Sequence, residues 1–121
     1  MEWTKDVRKA LDHLLSVKTS SKVAVFDADG TLWREDIGES FFKYQIKKAL
    51  APHIKGIEDP WALYKKKCEI NTKEAYVWLA QINEGLSESE LLRQSEEFSS
   101  ASFQNKINPQ LKSLFDELRK A

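Results

Sequence analysis

Apolar residues recur at helical spacing along most of the chain, and one short stretch breaks that rhythm. Over residues 2–17, Trp3, Val7, Leu11, Leu14 and Leu15 fall on one stripe, with Lys5, Asp6, Arg8, Lys9 and Asp12 elsewhere. That spacing predicts an amphipathic helix, and His13, off the stripe, reads as a solvated side chain. A second helix is expected from Ile37 to Leu50, with Phe42, Ile46, Ala49 and Leu50 inward and Asp36 placed to cap its start. Pro52 and Gly56 mark a break. Asp59-Pro60 then pairs a capping carboxylate with proline at the first helical position, ahead of Trp61, Tyr64 and Cys68. Asn71 or Thr72 caps a helix carrying Ala75, Trp78, Leu79 and Ile82, which Gly85 ends. Ser87 to Glu90 forms a capping box for a helix over 88–101, with Leu91, Leu92 and Phe98 inward. Asn108-Pro109 opens the last helix, whose stripe is Leu111, Leu114, Phe115 and Leu118.

The exception to helical spacing runs from Lys22 to Trp33, Lys-Val-Ala-Val-Phe-Asp-Ala-Asp-Gly-Thr-Leu-Trp. Val23 to Phe26 is a short continuous apolar run of the kind that forms a fully buried strand. The expected fold is therefore mainly α, with one β-strand at 22–27. Three segments follow from this: 1–36 with the first helix, the strand and an acidic loop; 37–107 as a helical bundle; and 108–121 as a returning helix. Trp61 and Trp78 read as core anchors of the bundle.

With 121 residues the chain fits one compact domain. Its 41% apolar and 31% charged content supports a core and excludes disorder. Nineteen basic and nineteen acidic residues cancel, so there is no electrostatic footprint for nucleic acid or an anionic membrane. Lys65-Lys66-Lys67 reads as a solvated helix face. The one cysteine, Cys68, has no partner for an intramolecular disulfide and reads as a small buried apolar residue. The first residues do not resemble a signal peptide and no apolar run approaches a membrane span, so a cytoplasmic location is the expectation.

Chemistry concentrates where the apolar run ends. Asp27 and Asp29 lie one residue apart, just past the carboxyl end of the expected strand, where open α/β sheets place their ligand crevices. Like charges this close are costly without a cation between them, and a hard oxygen-seeking ion, Mg2+ first, suits them. Gly30 allows a sharp turn and close approach of a ligand, and Thr31 offers a hydroxyl and an N–H near an oxyanion. Asp and Gly are also favoured turn residues, so the stretch read alone is equally a turn.

Taken together, the buried run, Asp27-Ala-Asp29-Gly30-Thr31 and the Leu-Trp that follows resemble the first motif of the haloacid-dehalogenase-like (HAD) phosphohydrolases. The resemblance implies a Rossmann-like α/β hydrolase core, of which this chain would hold only part. Segment 37–107 would be the helical cap that often interrupts such proteins after the first motif, in an order most similar to phosphoserine phosphatases. By position, Asp27 would be the nucleophile and a Mg2+ ligand. Asp29 would be the general acid and base, with its backbone carbonyl also on the metal, and Gly30 and Thr31 would shape the phosphate pocket. Asp36 would read a substrate amine, although an N-cap explains a carboxylate at 36 equally well. The family's later motifs, a Ser or Thr, a Lys and an acidic pair, have no counterpart before Ala121, which implies a truncated piece, inactive by itself. The second carboxylate favours phosphate over halide chemistry, because a halide leaves without needing a proton.

The leading expectation is thus a Mg2+-dependent phosphomonoesterase acting on a small phosphorylated metabolite. The alternatives are a non-catalytic helical module that self-associates or binds a partner, and a different HAD chemistry, phosphotransfer or dehalogenation.

Overall fold

The computed structural model describes residues 2–121. Among them helix accounts for 66% and no sheet forms, so the mainly α expectation holds. The described residues form six α-helices: α1 Lys5–Ser16, α2 Ile37–Lys48, α3 Pro60–Ile70, α4 Thr72–Gln81, α5 Glu88–Phe98 and α6 Pro109–Lys120. The chain divides into two compact units, one of Met1–Asp36 with Asn105–Ala121 and the other of Ile37–Gln104. Among the described residues no helix is long and apolar enough to cross a membrane.

In the first unit, α1 begins where the Thr4 hydroxyl accepts from the Val7 N–H, and α6 where the Asn108 side chain accepts from Gln110 N–H at 3.0 Å. The two helices are tied by a forked ion pair, Arg8 to both oxygens of Glu117 at 3.0 and 2.7 Å. Arg8 also reaches Asp12 on its own helix. Phe26 lays its ring 4.7 Å from Phe115, and Leu114 is buried.

The strand expected at 22–27 does not form. A strand is defined by its partners, and among the described residues no neighbouring segment supplies a ladder to this one. The segment takes no regular secondary structure, with Val23 86% and Val25 89% exposed. Lys22 anchors its start, donating to the carbonyls of Leu15 and Ala121 at 3.3 and 3.4 Å. An open apolar groove of about 620 Å³ runs beside it, bounded by Leu11, Leu15, Val23, Val25, Leu114 and Leu118.

The second unit holds the larger core, Phe42, Ala51, Ile54, Tyr64, Ala75 and Ile82, with Trp61, Cys68 and Trp78 packed around it. Phe42 is its centre, meeting Tyr64 edge-on at 5.7 Å and Trp78 edge-on at 5.8 Å. The Tyr64 hydroxyl donates to Glu39 at 3.1 Å. Burial pushes the Tyr64 phenol well above its ordinary pKa, and hydrogen bonds with Cys68 and Glu39 push it further. Two glutamines also lie inside. Gln45 donates to Asn83 at 2.7 Å and Gln94 donates to Glu90 at 3.3 Å, so neither amide is buried unsatisfied.

Several helix ends differ from the periodic reading: the helix expected over 2–17 runs Lys5–Ser16, and the one expected to end at Gly85 closes at Gln81. Apolar spacing carried the second helix to Leu50, but it closes at Lys48 with Ala49 in the left-handed region at φ +52°. Ala49 N–H bonds to Ile46 C=O and Leu50 N–H to Gln45 C=O, at 3.1 and 3.0 Å. This is a Schellman cap with alanine where glycine is usual, and Ala49 is exposed, not part of the stripe. The helix expected over 88–101 is α-helical only to Phe98. Five residues of π-helix, Ser99–Phe103, then turn Phe103 inward, 5.7 Å from Phe98.

Candidate active site

Asp27 and Asp29 lie at the tight turn that follows the apolar segment, and both are exposed. The Ala28 carbonyl closes the turn, accepting from Thr31 N–H at 3.1 Å and Leu32 N–H at 2.8 Å. Gly30 sits at φ +75°, a conformation in which an L side chain is strained. That geometry brings residues four apart face to face. The Thr31 hydroxyl donates to Asp27 Oδ2 at 3.0 Å, and the Trp33 indole Nε1–H donates to Asp29 Oδ1 at 2.6 Å. Each carboxylate is therefore held by a neutral donor from the same turn.

The turn is braced by the segment that precedes α6. Trp33 forms an isolated antiparallel bridge with Ile107. On either side, Arg34 N–H donates to Lys106 C=O at 3.1 Å and Asn108 N–H to Leu32 C=O at 2.8 Å. Lys106 Nζ reaches Glu35 Oε2 at 2.6 Å. Asp36, expected to face a substrate amine or cap α2, is the exposed residue immediately before α2. The apolar groove ends at Phe26 and does not include the acidic turn.

Of the expected site residues, the turn brings together Asp27, Asp29, Gly30 and Thr31. The sequence motif includes Trp33 but assigns it no role, and it gives no sign of the brace at Lys106–Asn108. Trp33 carries a signal in hindsight, since Asp27/Thr31 and Asp29/Trp33 share the same spacing of four. The brace carries none, because it joins residues more than seventy positions apart.

Two carboxylates on one turn offer hard oxygen donors, which suit Mg2+ as it is often held, by one or two carboxylates with the remaining positions left to water and phosphate. Among the described residues no third His, Cys, Asp or Glu joins them into a closed cage.

Compared with known proteins, no family model and no solved structure matches the chain. Among curated proteins it is similar to a phosphorylcholine phosphatase of Pseudomonas aeruginosa, 30% identical over 105 residues that cover 74% of this chain. The match covers 30% of that phosphatase's own length.

Proposed function

We propose that the chain carries the nucleophile-bearing part of a phosphomonoester hydrolase of the HAD type, acting through an aspartyl-phosphate. The observation that carries this reading is the pair of carboxylates on one turn, each fixed by a donor four residues on. The similarity to a phosphatase supports it.

In this reading an Asp27 carboxylate oxygen attacks phosphorus in line, forming the acyl-phosphate bond as the bond to the leaving alkoxide breaks. Asp29, acting as general acid, gives a proton to that alkoxide. Asp29 then takes a proton from the water that attacks the acyl-phosphate, which frees phosphate and restores Asp27. The Thr31 hydroxyl keeps Asp27 oriented, and Gly30 lets the backbone come close to the phosphate. Asp27 through its carboxylate and Asp29 through its backbone carbonyl would hold Mg2+, whose charge would offset the repulsion between an anionic nucleophile and an anionic phosphate. Substrates would be small phosphomonoesters bearing a cationic group, with Asp36 as the carboxylate that meets it.

The test is steady-state hydrolysis of an aryl phosphate with Mg2+ in the whole protein, followed by phosphoserine and phosphorylcholine. Asp27→Asn is expected to leave less than roughly a thousandth of the rate, since an amide cannot form the acyl-phosphate. Asp29→Asn is expected to slow turnover by about 100- to 10,000-fold through lost proton transfer. Residues 1–121 alone are expected to turn over no aryl phosphate. In the family the chain resembles, later motifs supply positive charge and donors to the transferring group, and one missing donor can cost on the order of 100- to 1000-fold. Wild-type rates in Asp27→Asn would remove this turn from the chemistry.

A further inference from the structure

We propose that Trp33 is the positioning residue for Asp29, its indole N–H holding the carboxylate that serves as acid and base. This rests on the phosphatase reading for what Asp29 does, but not for how Asp29 is held.

The contact is short and of a particular kind. Indole Nε1–H is a donor only, and it lies 2.6 Å from Asp29 Oδ1. The bond fixes the direction in which the Asp29 carboxylate points.

The indole is itself well anchored. Its ring moves on two side-chain torsions, and its backbone is bridged to Ile107. The residues on both sides are hydrogen-bonded to the same returning segment, Leu32 through Asn108 and Arg34 through Lys106. The position of Asp29 is thus referred, through Trp33, to residues at the start of α6. Asp27 has no such link in its contact with Thr31, whose hydroxyl belongs to the turn alone. The two carboxylates are held differently, the nucleophile by a short rotor and the acid/base by a rigid, externally braced ring.

The decisive measurement uses the 15N-labelled chain, whose four tryptophans give four indole N–H signals. The signal missing from Trp33→Phe is that of Trp33. In Asp29→Ala it is expected to move upfield and exchange faster with water, while Thr31→Val leaves it in place. An indole signal indifferent to Asp29→Ala overturns the proposal. In the whole protein, Trp33→Phe is expected to lower kcat for an aryl phosphate by about 10- to 100-fold, the scale of a small misplacement of a reacting group. KM should stay within about twofold. Trp33→His, which keeps a ring N–H donor, is expected to recover part of the loss. A rise in KM alone, or a histidine variant no better than phenylalanine, also overturns it. Asp27→Asn, assayed alongside, reports on the phosphatase reading separately: retained activity there sinks that reading and leaves the indole result to stand or fall by its own signal.

Discussion

Arg8 lies between two carboxylates, and the consequences can be followed group by group. Its hydrogen bonds to Glu117 and then Asp12 raise the guanidinium further above its already high range. Hydrogen bonding to Arg8 pulls both acids below their ordinary values. Carboxyl pKa values lower in the folded chain than in the unfolded one contribute stability at neutral pH. That contribution is complete above the unfolded values, about 4 for such groups, and is lost as pH falls through the folded ones. All three side chains are partly exposed, so salt weakens the effect. Thermal unfolding followed from pH 7 into the acid range is expected to show wild type losing more stability than Glu117→Gln. Parallel acid limbs for the two proteins would mean that the pair contributes nothing.

At the scale of elements, the end of α2 offers a sharper test. Ala49 holds a left-handed conformation that costs an L residue about 1–2 kcal/mol, whereas glycine adopts it freely but loses more backbone entropy on folding. Ala49→Gly is therefore expected to stabilise the protein by roughly 0.5–1 kcal/mol, read as a higher urea midpoint at unchanged slope. Loss of stability would mean that the cap is not left-handed in solution. This end also shows what a sequence can and cannot convey. Asp59, Asn71, Ser87 and Asn108 announced helix starts correctly because a cap is a local hydrogen bond, made within three residues of itself. Alanine at a left-handed cap gives no such announcement, and apolar spacing ran two residues past the true end. The segment at 22–27 failed for the opposite reason: its pattern suits a strand, but a strand exists only through another strand. In the acidic turn, Asp27, Asp29, Gly30 and Thr31 stood out by residue type and spacing. Trp33 closes that motif with no role assigned by its spacing, and the brace behind it joins residues too far apart in sequence to be read from the pattern.

At the scale of the whole molecule, most of the buried apolar side chains belong to Ile37–Gln104. That unit contains the entire Phe42 cluster and both buried glutamines. Expressed alone, residues 37–104 are expected to keep a helical far-UV spectrum and to unfold cooperatively. A broad, non-cooperative transition would mean that its core depends on the remaining residues. The chain leaves the first unit after Asp36 and re-enters it at Asn105, and just inside those points Arg34 and Lys106 are joined backbone to backbone. Exit and return are thus pinned side by side, as the two sides of a buttonhole are. The contacts of Thr31 with Asp27 and of Trp33 with Asp29 are themselves made wholly within residues 27–33, ahead of the exit point. One residue gained or lost between Asp29 and Thr31 falls inside both loops and breaks both carboxylate contacts at once.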